Sequence, residues 1–212
     1  MDSHLLRFDK DKTFVFIDFE TENLCLNFRQ NMPWQMAMIK VRGDSKFDER
    51  DIMIKWDREL RVSPEAARIT RFSDEKYKSL RKPHEKVFPL MEKWLEEADY
   101  IVGHNILGFD IYLILEFYKK MGKNGAHLVD KMIDTFCLSK AYKLGSQKPS
   151  EASLIEFQYR CLDIRKKRLG CSLQAIARNF DIEHNYDKLH DALVDLDLNL
   201  KVWNKLKWQL EV

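Results

Sequence analysis

The run Thr13 to Phe19, TFVFIDF, is almost wholly apolar and rich in aromatic and β-branched residues, and an aspartate sits inside it with a glutamate one residue beyond its end. A run of this kind reads as a strand covered on both faces, and so as a central strand of a sheet. Side chains alternate along a strand, so Asp18 and Glu20 project to the same side. An isolated charge in such surroundings costs several kcal/mol to desolvate, on the order of what a fold can ill tolerate. Asp18 therefore needs a cationic partner or a place at the open carboxyl end of the strand. A divalent metal ion meets both requirements. The plainer alternative is that Asp18 caps a turn and Glu20 is solvated.

The rest of the chain supports a sheet flanked by helices. Trp34 to Val41 and Asp51 to Trp56 read as strands, with turn residues Arg42, Gly43, Asp44 and Ser45 between them, so the first three strands form a meander. Ser63-Pro64-Glu65 pairs a cap with proline at the first helical position, and Ser73 caps Asp74 to Leu80. Val87, Leu90, Met91, Trp94 and Leu95 fall at helical spacing. Tyr100 to Gly103 is a short strand before a helix over about 109–120, and Met132 to Asp134 is a fifth strand leading into Thr135 to Tyr142. That alternation predicts parallel additions to the sheet. Ser172 caps a further helix, and Leu189, Leu193, Leu196, Leu200 and Trp203 form the stripe of a terminal one.

At 212 residues the chain is expected to be a single domain, 1–212, with a basic insertion at 145–170. No segment approaches the roughly 18 apolar residues of a membrane span, and the charged first residues do not resemble a secretory signal, so a cytoplasmic location and no membrane partner are expected. The four cysteines form no CxxC pair, which argues against a zinc ribbon or a disulfide framework. Net charge is only +2, but cations are concentrated locally. Seven Lys/Arg face three acids between Arg68 and Lys86, and eight face three between Lys140 and Arg168. Each stretch is either a solvated helix face or a rim that meets phosphates.

Two later segments add chemistry. In Gly103-His104-Asn105-Ile106-Leu107-Gly108-Phe109-Asp110 a strand gives way to a helix, which again presents polar groups at a sheet's carboxyl edge. In His190-Asp191-Ala192-Leu193-Val194-Asp195 the outer residues are five apart, a rotation of about 140° on a helix. His190 must therefore precede the helix if it shares a site with Asp195. Alone, His190 reads as a surface histidine and Asp110 as a first-turn residue favoured by the helix dipole.

Taken in order, FIDFET, GHNILGFD and HDALVD resemble the three exonuclease motifs of the DEDDh family, which includes bacterial polymerase proofreading subunits, ribonuclease T and oligoribonuclease. The likeness spans about 13–206. It implies a ribonuclease-H-like α/β fold with a five-stranded mixed sheet flanked by helices. It implies hydrolysis from the 3′ end of nucleic acid, releasing nucleoside 5′-monophosphates, with two Mg²⁺ ions for which Mn²⁺ would substitute. By the same resemblance Asp18, Glu20, Asp110 and Asp195 would bind metal, with His190 as general base. Thr21, Leu24, Thr70, His104 and Asn105 are candidate substrate contacts, although Asn105 equally suits a strand-to-helix turn. A single-stranded end is favoured because it must be threaded to the metals, with DNA set slightly ahead of RNA. Association with a polymerase, or with a second copy, stays open.

The chain departs from the family pattern in the stretch Gly145 to Gly170, which lengthens the approach to the last motif, and at these further places. Glu22-Asn23 stands where Thr-Gly is common, Arg71-Phe72 stands in place of a glycine-containing turn, and the second motif is one residue longer. Tyr159 and Asp163 also have the tyrosine spacing of the sister DEDDy group, but they lie in the insertion. Two other function classes are a nucleic-acid-binding module without catalysis and a phosphohydrolase acting on small nucleotides.

Overall fold

The structure, a computed structural model, describes residues 5–26 and 31–212. Its centre is β1 (Thr13–Thr21), which pairs antiparallel with β2 (Pro33–Arg42) and parallel with β5 (Tyr100–Gly103). β2 continues into β3 (Ser45–Lys55) across a turn where Gly43 takes a left-handed φ of 60°, which glycine adopts without steric cost. β6 (Met132–Asp134) adds in parallel beside β5, and β4 (Lys82–Pro83) pairs in parallel with the end of β3. The order is β4-β3-β2-β1-β5-β6, so the sheet has six strands rather than the expected five. The additional strand is only two residues long, too short for any periodicity to reveal. β3 also begins earlier than Asp51, because its first half pairs with β2 through the backbone while its charged side chains stay largely in solvent.

Alternation along β1 divides the interior. Val15, Ile17 and Phe19 face α3 (His84–Glu97) and α4 (Asp110–Lys120), packing with Met91, Leu95, Ile111 and Ile114. Phe14 and Phe16 face α5 (Thr135–Leu144), α7 (Leu173–Asn179) and α8 (Ala192–Leu206), packing with Leu138, Ile176, Leu196 and Trp203. Asp18 and Glu20 continue the Phe14 and Phe16 row, on the side where α8 lies. The register slips between Glu20 and Thr21, with Pro33 opposite Thr21 and Gln35 opposite Glu20. Such a bulge at a strand's end re-aims the residues that follow it.

Helices α1 (Pro64–Thr70) and α2 (Asp74–Leu80) begin where their serine caps predict, with Ser63 and Ser73 accepting from the N–H groups of Ala66 and Lys76. The 145–170 segment carries α6 (Leu154–Asp163), opened by a capping box between Ser153 and Glu156. This helix lies against the body rather than projecting from it. Gln158, fully buried, donates from Nε2 to the Met132 carbonyl at 2.9 Å and accepts from the Asp134 N–H at 2.6 Å, so α6 satisfies the open edge of β6. Arg165, Lys166, Lys167 and Arg168 follow it, all exposed.

One buried carboxylate ties the far end of the sheet together. Asp134 accepts from the N–H groups of Phe136 and Cys137 as the N-cap of α5, and from those of Asn105 at 2.9 Å and Leu107 at 3.1 Å across the β5–α4 turn. Its pKa is raised by burial against the pull of these donors. Asp134→Ala would leave the donors without an acceptor and is expected to cost about 3–5 kcal/mol, on the scale of a broken buried network. Equilibrium urea unfolding checks this, and an unchanged midpoint would show that the network carries no stability.

Candidate active site

Three elements bring their ends to one place. β1 supplies Asp18 and Glu20 before its bulge, and α8 supplies Asp195 from its first turn. Carboxylate oxygens of these three residues lie within 4.8 Å of one another. α4 contributes Asp110, its first residue and only 3% exposed, whose charge acts directly on Asp18 and Glu20. The β5–α4 turn that delivers it is tight, since Asn105 takes a left-handed φ of 69° and a Cβ on Gly108 would come within 2.4 Å of the Asn105 Oδ1.

His190 stands outside the helix, as its spacing from Asp195 requires. Asp191 N-caps α8 through the Leu193 N–H, and His190, with φ 69°, reverses the chain just before it. The His190 backbone N–H donates to both Asp195 oxygens at 3.2 and 3.3 Å, joining the histidine to the carboxylate cluster while its ring remains exposed.

Burial followed by mutual repulsion sets the electrostatics. Asp18 is driven well above the usual carboxylate range by desolvation and then by Asp110, Glu20 and Asp195. Glu20 is pushed up to about 9 by desolvation with Asp195, Asp110 and Asp191, and Asp195 to about 7 by desolvation against the His190 N–H. Desolvation also raises Asp110. The His190 ring is lowered by desolvation and then by the nearby Arg71 charge, both of which favour its neutral form. The charges that act on the carboxylates are other carboxylates, and hard oxygen donors this close together fit a divalent cation. A second grouping, Asp57, His84 and Glu85, differs in kind. There the two ring nitrogens of His84 face separate carboxylates, at 3.6 and 3.3 Å, and Lys120 already stands 3.8 Å from Asp57, which makes an ion-pair network.

The remaining candidates are dispersed around the cluster. Leu24, 46% exposed, lines a cavity of about 1220 Å³ with Gly108, Phe109 and Tyr112. Thr70 lines a smaller one of about 360 Å³ with His190, although its hydroxyl donates to the Ala66 carbonyl of its own helix. Thr21 is buried and donates to the Asn23 carbonyl at 2.6 Å. His104 holds Nδ1 3.0 Å from the Thr135 hydroxyl and packs edge-on against Phe136, and burial lowers its pKa to about 4. Tyr159 lies on α6, 40% exposed, where Tyr112 and Asp134 act on it electrostatically.

Glu22 supports the site in a way that sequence reading missed. It is 1% exposed, and its carboxylate accepts from Arg58 at 2.7 and 2.6 Å, from the Met32 N–H at 3.2 Å and from the Arg61 N–H. Burial works to raise its pKa, but these donors outweigh burial and hold it low. Its backbone also bonds to Met32 and Ser63, so the residue that departs from the family pattern anchors the loop leaving β1. The departure itself was the available signal.

The RNase T exonuclease model matches residues 15–203, which span all the acidic residues of the cluster and His190. The chain belongs to this exonuclease family. Among solved structures it is similar to E. coli exonuclease I in complex with a dT13 oligonucleotide (16% identity, TM-score 0.69, covering 94% of this chain and 42% of that one). It is similar also to a zinc-bound E. coli exonuclease I–ssDNA complex (17% identity, TM-score 0.71, covering 93% and 41%). These likenesses confirm the ribonuclease-H-like exonuclease fold, and the chain spans about two fifths of the length of those proteins. Sequence comparison with curated proteins gives no match. No helix among the described residues is long and apolar enough to cross a membrane.

The raised carboxylates imply a pH-dependent fold. A carboxylate whose folded pKa is raised keeps its proton where the unfolded chain has lost it, so in EDTA stability should fall as pH climbs from about 4 toward 9. Asp18→Asn should then raise the melting temperature by a few degrees at about pH 8 and have little effect at about pH 4, since ~1 kcal/mol moves a domain of this size about 2–4 °C. Thermal melts across pH check this, and a variant that melts lower at pH 8 would contradict the repulsion.

Proposed function

We propose that the chain is a 3′→5′ exonuclease that hydrolyses the terminal phosphodiester of a nucleic-acid strand and releases a nucleoside 5′-monophosphate. The observation that carries this reading is the convergence of Asp18, Glu20, Asp110 and Asp195 at the open end of β1, with an exposed His190 joined to them through its backbone N–H. Asp18, Glu20, Asp110 and Asp195 would hold two divalent ions, Mg²⁺ or in its place Mn²⁺, which supply an acidified water and neutralise charge on the phosphate. His190, whose surroundings favour the neutral imidazole, accepts the proton of the attacking water. The water oxygen bonds to phosphorus as the bond to the 3′ oxygen breaks; that oxygen stays with the shortened strand and the phosphate leaves on the released nucleotide.

Leu24 and Thr70, on the walls of the two cavities, flank the terminal nucleotide. Thr21, His104 and Asn105 serve mainly by shaping the turns around it, since their side chains or backbones are engaged within the protein. A single-stranded end suits a cluster reached from the edge of the sheet, and the exonuclease I structures hold single-stranded oligonucleotides. We place DNA ahead of RNA as substrate. The chain acts as a single domain, in which the exposed cations after α6 extend the strand-binding surface as the basic part of an insertion at 145–170.

Asp18→Ala or Glu20→Ala should lower hydrolysis about a thousandfold or more while the protein remains folded. Digestion of 3′- and 5′-labelled DNA and RNA with Mg²⁺, Mn²⁺ or EDTA tests the reading, and a 3′-phosphate should block attack where a 5′ block does not. Full turnover by folded Asp18→Ala would remove the proposal, and cleavage of mononucleotides alone would replace it with a small-molecule phosphohydrolase.

Replacing Arg165, Lys166, Lys167 and Arg168 with Gln should weaken binding of a long strand and flatten its logarithmic salt slope by up to about three units. A very short oligonucleotide should be affected little. Equal slopes for parent and variant would show that these cations are only a solvated surface.

A further inference from the structure

Thr70 ends α1, and Arg71 follows it in the left-handed region, at φ 54° and ψ 37°. Glycine suits this C-cap position best, because a Cβ is disfavoured there. Capping itself does not call for arginine: the bond made is from the backbone N–H of Arg71 to the Ala67 carbonyl, and glycine would make it equally well. What arginine adds is reach. Its guanidinium crosses to the short turn Tyr186–Lys188 and donates to the Asp187 carbonyl.

That turn leads directly to His190, whose own φ of 69° is unusual for a residue with a side chain and persists only where the surroundings hold it. The turn's other bonds are mostly internal, from Lys188 N to the Asn185 carbonyl and from the Tyr186 hydroxyl to the Ile182 carbonyl. Arg178 lies over the Tyr186 ring, and Leu189 is buried in the core behind it. Arg71 is the bond from the opposite wall. It and His190 line the same cavity of about 360 Å³, together with Lys76, Lys188 and Asp191. The guanidinium is close enough to act electrostatically on the imidazole.

We infer that Arg71 is a positioning residue, which pins the Tyr186–Lys188 turn to the end of α1 and thereby holds His190 over the carboxylate cluster. The inference rests on the reading of His190 as proton acceptor. The arginine side chain gives the turn a contact that glycine at this left-handed position would not.

The test separates folding from positioning. Arg71→Gly should melt at the parent temperature or above it, because the backbone is relieved. Amide exchange at residues 186–190 should nonetheless quicken about tenfold, the scale of one lost charge-assisted hydrogen bond. Exonuclease kcat should fall about tenfold with KM changed less than about twofold, and Arg71→Lys should recover part of it. In a His190→Ala background, Arg71→Gly should cause no further loss, because two residues acting through one group are not additive. Unchanged exchange in the turn would overturn the contact, and so would a fall in melting temperature with exchange quickened throughout the protein. Additive losses in the double variant would overturn action through His190. A parent protein that hydrolyses no strand would refute the functional reading instead, while the exchange measurement would still report on the pin.

Discussion

The structure turns on the cost of crowding negative charge at a partly buried strand end. Asp18 and Glu20 extend the same row as Phe14 and Phe16, so the fold cannot bury that row's apolar residues against α8 without carrying the carboxylates to the edge of the same interface. The docking of α8 by Leu196 and Trp203 then presents Asp195 to them, and α4 adds Asp110. In water these charges would separate. Here two apolar cores hold them together, and their affinity for protons or for a cation is the consequence.

Such a cluster requires firm surroundings, because any slack in the backbone would let the carboxylates move apart. Two other buried carboxylates supply that firmness, each surrounded by hydrogen-bond donors; the donors hold Glu22 low, while burial still raises Asp134. Asp134 gathers backbone N–H groups from the β5–α4 turn and the start of α5, while Glu22 gathers Arg58 and two backbone N–H groups at the exit of β1. The site thus divides its acidic residues by role. Those with satisfied oxygens brace the loops, and those left facing one another are available for chemistry.

Membership in the exonuclease family accounts for the shared frame, and this chain's departures from it become intelligible as contacts. Glu22, in place of the common threonine, is committed to Arg58. Arg71, where the family has a glycine-containing turn, reaches the turn before His190. The helix of the 145–170 segment covers the free edge of β6 through Gln158, so a stretch that reads as an addition closes the sheet on that side.

Local rules were legible in the sequence because they act within a few residues. Alternation placed Asp18 and Glu20 on one side of β1, helical geometry required His190 to precede α8, and the serine caps marked the starts of α1 and α2. The ordered motifs pointed to the family. Tertiary structure alone decided which acids converge and which are neutralised. Nothing near Glu22 announces a partner 36 residues away, and nothing near Arg71 announces a carbonyl 116 residues away. The two-residue β4 and the charged half of β3 likewise exist through pairing with a neighbouring strand. Periodicity and capping are properties of the local backbone, whereas burial, and with it each carboxylate's proton affinity, is set by whatever the two cores bring alongside it.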